Sequence, residues 1–151
     1  MLNQDDELRG HFRPAATVSA AVVASLVLYL VLVEVLRAVY KPFRGFASLG
    51  DVQTVRYAVF GAAIVVVILI RLLRPRLLRP VPGADERTAL VRLQRAAVLT
   101  MVLAEVPAIL GLGHFLITGL NVDFYVLLVA SLVLVFMYFP RKAAWEEGRN
   151  K

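Results

Sequence analysis

Residues 14–33 read PAATVSAAVVASLVLYLVLV, and none of these 20 positions carries a charge. A helix rising about 1.5 Å per residue crosses roughly 30 Å of hydrocarbon in about 20 residues, so this run by itself predicts a membrane-spanning helix. Apolar character continues past Glu34 to Leu36, which sets the first span at 14–36. Further along, YAVFGAAIVVVILI (57–70) is a shorter uncharged run bracketed by Arg56 and Arg71. Long arginine side chains reach back to the headgroups, and the chain stays mostly apolar from Val52 to Leu73, so a second span is expected at 52–73. A third run, 96–119, is interrupted only by Glu105, and a fourth, 121–139, is uncharged from Phe124 until Pro140, Arg141 and Lys142 close it. The predicted fold is all-α: one domain of four transmembrane helices, arranged as an antiparallel bundle of two hairpins.

Composition agrees. The apolar set makes up 60% of the 151 residues and the mean hydropathy is +0.74, whereas soluble domains are about 45–50% apolar. Strands of a β-barrel alternate polar and apolar residues, but IVVVILI and VLLVASLVLVF are apolar on every side, which selects helices. The segment before the first span carries three acids against two arginines and no small-x-small cleavage site follows the span, so it is expected to remain as an anchor. Cysteine is absent, which removes disulfides, thiolate metal sites and thiol nucleophiles. Thirteen Lys and Arg fall in the N-terminus, the middle loop and the C-terminus, against four in the first hairpin loop and none in the last. The positive-inside rule then predicts that both termini are cytoplasmic.

The basic segment 71–95, RLLRPRLLRPVPGADERTALVRLQR, is expected to be a cytoplasmic loop in which Pro75, Pro80, Pro82 and Gly83 stop the second helix. Asp85 and Glu86 suit the start of the third, and Leu90, Leu93 and Ala97 share one helical face. No aromatic residues are interleaved with the arginines, so the segment is expected to meet anionic lipid headgroups and not nucleic acid.

Glu105 is the residue that composition does not explain. An acid at mid-bilayer costs about 2.5–3.5 kcal/mol on insertion scales, so it is expected to face protein or a hydrated cavity as a proton- or ion-binding group. With no Lys or Arg at its depth, apolar burial favours the neutral carboxyl. Counting along the helices places Ser25 and Ser131 at a similar depth as candidate partners, ahead of Thr100 on the same helix. Pro107 removes an amide donor beside Glu105 and leaves the Leu103 carbonyl without its usual partner, which predicts a kink or a hydrated spot. Glu34 lies near the outer edge and is expected to pair with Arg37 at i, i+3. The two glutamates are therefore not equivalent positions of an internal repeat.

Ala97, Ala104, Ala108 and Gly111 form a small-residue stripe for close helix packing, with Ala20, Ala24, Gly61 and Ala62 as possible counterparts. His11 and His114 lie toward opposite ends, which argues against a two-histidine haem. Glu34, His114 and Asp123 could approach one another on the outer side as a metal site, but no short ligand spacing links them and they are expected to be independent interfacial residues. No nucleophile elbow, Walker loop or HExxH occurs, so no catalytic residue, metal, cofactor or enzyme activity is expected.

The stretch RAAVLTMVLAEVPAILGLGHFL (95–116) resembles the carboxylate helix of the ATP synthase c subunit, the proteolipid family. The matching positions are Ala104, Glu105, Ala108, Ile109, Gly111 and Leu112. The resemblance implies a proton- or sodium-binding role for Glu105 in a hairpin with a basic cytoplasmic loop. Gly61 alone stands where the family has a glycine-rich first helix, and here further spans flank the hairpin. The chain also resembles small four-span bacterial membrane proteins through Ala104–Ala108 (Ala-Glu-x-Pro-Ala) and Phe139–Arg141 (Phe-Pro-Arg). The functional expectation is a structural or accessory subunit of a membrane complex, bound to other membrane subunits or to further copies of itself. The alternative is a proton- or ion-coupled transport component.

Overall fold

The computed structural model describes residues 4–47, 50–78 and 86–139, and side chains from Arg13 onward except at 86, 87 and 89. These residues form four α-helices: α1 (Gln4–Val39), α2 (Val52–Leu77), α3 (Glu86–Thr118) and α4 (Asn121–Tyr138). Each is long and apolar enough to cross a membrane.

The helix ends follow local chemistry. Asp51 caps α2, its carboxylate accepting from the amides of Gln53 at 3.0 Å and Thr54 at 3.1 Å. α3 ends at Gly119, whose φ of +76° suits a residue without a Cβ and whose amide donates to the Phe115 carbonyl at 2.7 Å. α4 ends at Phe139, with φ −54° and ψ 129°, the extended backbone that a following proline imposes on its neighbour.

Pro75 behaves differently from expectation. α1 begins well before Pro14, and α2 passes through Pro75 to Leu77. Proline forfeits its own amide bond, a loss confined to one position so close to the helix end, and the Leu78 amide still reaches the Arg74 carbonyl at 3.1 Å. The basic segment 71–95 is thus helical over 71–77 and 86–95. Pro80, Pro82, Gly83, Asp85 and the C-terminal basic residues from Arg141 lie outside the described residues.

α3 is the axis of the packing. It touches all three other helices, whereas α1 and α2 barely meet. Cross-helix pairs give the directions. Ala15 packs with Leu90 while Ser25 and Tyr29 meet Glu105, so α1 runs the same way as α3. Arg56 pairs with Asp123 and Arg74 stacks over Tyr138, so α2 runs with α4. His114 with Asp123 and Ala108 with Ser131 make α3 and α4 a close antiparallel hairpin. The core joins Val22, Leu26 and Val33 of α1 to Met101, Ala104, Ala108 and Phe115 of α3, Phe124 and Leu128 of α4, and Ile70 of α2. Beyond Leu90, Leu93 and Ala97 share a small cluster with Ala15, as the helical spacing predicts.

At one end the segment after α1 folds back onto the α3–α4 turn. The amides of Phe46 and Ala47 donate to the Leu116 and Ile117 carbonyls at 2.8 and 3.3 Å, and the Phe43 ring lies 4.9 Å from Phe115. A Cβ on Gly45 would sit 2.2 Å from the Ile117 carbonyl oxygen, and one on Gly119 2.7 Å from that of Phe43. Glycine is required at both positions because backbone meets backbone there.

Candidate functional site

Glu105 sits on the α3 surface that faces α1, half-buried. Its Oε1 accepts the Tyr29 hydroxyl at 2.7 Å and is also in hydrogen-bonding contact with Ser25 Oγ. Ser25 and Tyr29 are four residues apart, so one turn of α1 presents both hydroxyls to one oxygen. The Ser25 hydroxyl also lies 2.8 Å from the Val22 carbonyl. Among the described residues the ion pairs are Glu34–Arg37, Arg56–Asp123 and His114–Asp123, and Glu105 belongs to none of them. Its hydrogen-bond partners among the described residues are thus neutral hydroxyls from α1.

Ser25 is therefore a partner of Glu105, as its depth suggests. Ser131 is not. Its oxygen accepts the Ala108 amide at 2.9 Å, so it ties α4 to the α3 backbone one residue after Pro107. Pro107 itself is buried, and beside it the helix uses a side chain from α4 as an additional acceptor. Thr100 turns back on its own helix and donates to the Ala96 carbonyl at 2.7 Å. Tyr29 is the partner that depth counting missed. Its position one turn beyond Ser25 is the signal that marks it.

The small-residue stripe packs as expected in its central part. Ala104 and Ala108 are fully buried, and a Cβ on Gly111 would lie 3.0 Å from Leu127 Cβ, so α3 and α4 approach closely there. Ala97 is half-buried against the Ala15–Leu90 cluster. The possible counterparts Ala20, Ala24, Gly61 and Ala62 are exposed, so their small-residue surfaces on α1 and α2 stay open within the chain. The reason is rotational: α1 turns Val22, Leu26 and Val33 inward, and α2 turns Ala63 and Ile70 inward.

A second polar cluster lies at the end where the loops meet. Asp123 is 2% exposed, with its carboxylate 2.9 Å from Arg56 Nη2 and 3.1 Å from Nε2 of the buried His114. Nδ1 of His114 is buried with no hydrogen-bond partner among the described residues. His114 and Asp123 are therefore bonded to each other and not independent, because the short α3–α4 turn folds them together and α2 brings Arg56 alongside. Glu34 belongs to a separate group: Arg37 donates to it at 3.2 Å and to the Tyr125 hydroxyl at 2.8 Å, and Tyr125 donates to Glu34. The predicted i, i+3 ion pair is present, joined by a tyrosine from α4. No group of three or more acids and histidines suited to a metal ion occurs among the described residues.

Near the start of α3, Thr88, Val91, Arg92 and Arg95 line an open cavity of about 390 Å³. Comparison of the chain with models of known protein families, with curated proteins and with solved structures finds no match.

Proposed function

We propose that this is a small integral protein of the bacterial cytoplasmic membrane, an antiparallel four-helix bundle with both termini cytoplasmic, serving as a structural or accessory subunit of a membrane assembly. One observation carries the reading: Glu105 is bonded within its own chain to Ser25 and Tyr29, where it fastens α1 to α3. Apolar side chains such as Val27, Leu28 and Val31 on α1 and Ile64, Val65 and Ile68 on α2 point outward, available to lipid or to neighbouring subunits. The cavity bordered by Arg92 and Arg95, close to the arginine-rich connection, suits anionic lipid headgroups.

The second reading, a proton- or ion-coupled transport component similar to a c-type proteolipid, is supported by the lack of a cationic partner for Glu105 among the described residues and by Pro107 beside it. Replacement of Glu105 separates the two readings. A subunit role predicts that Glu105→Gln keeps co-purifying partners in mild detergent while Glu105→Leu loses them. A transport role predicts that Glu105→Gln abolishes proton flux in reconstituted vesicles. Retention of the same partners by Glu105→Leu overturns the subunit reading.

A further inference from the structure

We propose that the open face of α3 is a seat for one anionic phospholipid, with its phosphate on Arg92 and Arg95 and an acyl chain along Leu99, Val102 and Val106. The inference rests on the reading above in one respect, that the arginine-rich end meets anionic headgroups, and deepens it from a charged rim to a single bound molecule.

The seat follows from how the other helices surround α3. α1 touches α4, and α4 is tied to α2 by Arg56 with Asp123 at one end and by Arg74 over Tyr138 at the other. α1 and α2 barely meet, so the circle stays open between them and one face of α3 is left uncovered. Helical periodicity identifies that face. Leu90, Leu93 and Ala97 pack with Ala15 of α1, while Thr88, Val91, Arg92 and Arg95, at i, i+3, i+4 and i+7, point the other way and line the cavity of about 390 Å³. The same stripe continues through Leu99, Val102, Val106 and Ile109. Leu99 is 40% exposed, Val102 48% and Ile109 46%.

Chemistry is ordered along this stripe. A hydroxyl comes first at Thr88, then the guanidinium groups of Arg92 and Arg95, then apolar side chains alone. Polar head, phosphate and hydrocarbon follow one another in the same order in a glycerophospholipid. Two arginines one turn apart present planar forks that match phosphate oxygens. Arg95 is exposed and belongs to none of the ion pairs among the described residues. A choline lipid brings its own cation to the phosphate, so the arginines select an anionic one.

Length agrees as well. Half of a hydrocarbon layer of about 30 Å spans about ten residues at about 1.5 Å each, so a chain that starts beside Arg95 ends near Val106. A free phosphate would use the arginines and leave the apolar stripe bare. An apolar helix would cover the stripe and leave the arginines unmatched. A lipid uses both.

Native mass spectrometry tests this on the full chain released from vesicles of phosphatidylcholine and phosphatidylglycerol in equal amounts. Wild type is expected to retain one phosphatidylglycerol per chain. Arg95→Gln is expected to weaken retention about tenfold or more, whereas Arg13→Gln, on the same rim but outside the seat, keeps the lipid. Val102→Trp fills the groove and is expected to expel the lipid with both arginines intact. Excess soluble glycerol phosphate leaves the lipid in place, because the chain also holds it; this arm uses wild type alone and does not depend on the folding of any variant. Equal losses in Arg95→Gln and Arg13→Gln, or several lipids retained without headgroup preference, overturn the seat. The first of these results still leaves the charged-rim reading standing. Displacement by glycerol phosphate assigns the arginines to phosphate alone, and a dimer in place of the lipid, dissolved by Val102→Trp, assigns the groove to a second copy. Either result overturns the proposal.

Discussion

Two glutamates in this protein meet a tyrosine across a helix boundary, in very different company. Glu34 near the end of α1 has Arg37 beside it as well as Tyr125. Glu105, deep in α3, has among the described residues the hydroxyls of Tyr29 and Ser25 and no cation. Asp123, near the Glu34 end, repeats the first pattern with Arg56. The difference teaches that depth decides how an acid is matched. Arginine reaches the helix ends at little cost, while a cation at mid-span would itself need rescue, so O–H groups are the partners that an apolar interior tolerates.

The strongest way to break this contrast is at the cation-matched end. Arg56→Met leaves the buried Asp123 with His114 alone. Loss of one partner from a buried pair costs about 3–5 kcal/mol, reduced to about 2 kcal/mol because the Arg56 side chain is 43% exposed and solvent screens it. Denaturation in detergent is expected to show the full drop, with Arg56→Lys recovering part of it.

Next comes Glu105→Leu, which strips the partner from two hydroxyls and is expected to lower stability by about 1–2 kcal/mol in the same assay. If Glu105→Leu proves as stable as wild type, the hydroxyl-matched site does not fasten the helices. Tyr29→Phe removes a single interhelical bond and is expected to cost about 0.6 kcal/mol, independent of salt. Glu34→Gln sharpens the comparison from the other side, since an exposed pair contributes at most about 0.5 kcal/mol and the effect disappears in high salt. A salt-sensitive Tyr29→Phe effect would erase the distinction.

The smallest effect is a pH dependence at the α2 cap. The hydroxyl and amide of Thr54, with the amide of Gln53 adding to them, hold the Asp51 carboxyl below its ordinary range. A lowered folded value means that the cap stabilises at and above the ordinary carboxylate range and loses that contribution as pH falls through the lowered value. The protection of the Gln53 and Thr54 amides, their exchange rates taken relative to the intrinsic rate at each pH, is expected to fall on acidification, and much less so in Asp51→Asn.

Much of this arrangement is legible in the sequence because charge and hydropathy vary along the chain. The four helices, the Glu34–Arg37 pair and the Ser25–Glu105 contact follow from counting residues from a span's end, since rise per residue converts sequence distance into depth. Rotation about each helix axis does not follow from the same count, nor does the choice of neighbouring helix. For that reason Ser131 has the expected depth and a different partner, and depth alone points neither to Tyr29 nor to the joining of Asp123 with Arg56. The exposed Ala20, Ala24, Gly61 and Ala62 make the same point: smallness permits close approach, and only the packing of α1 and α2 on α3 decides where it happens.

The glycine contact between the two connections has a mechanical consequence. Where Gly45 and Gly119 bring backbone against backbone, with Phe46 and Ala47 hydrogen-bonded to the end of α3, the link between the first two helices and the link between the last two are clasped together. A bundle clasped at one rim behaves like tongs. At the opposite, arginine-rich rim α1 and α3 are held by the side chains of the Ala15–Leu90 cluster, with no such backbone clasp among the described residues.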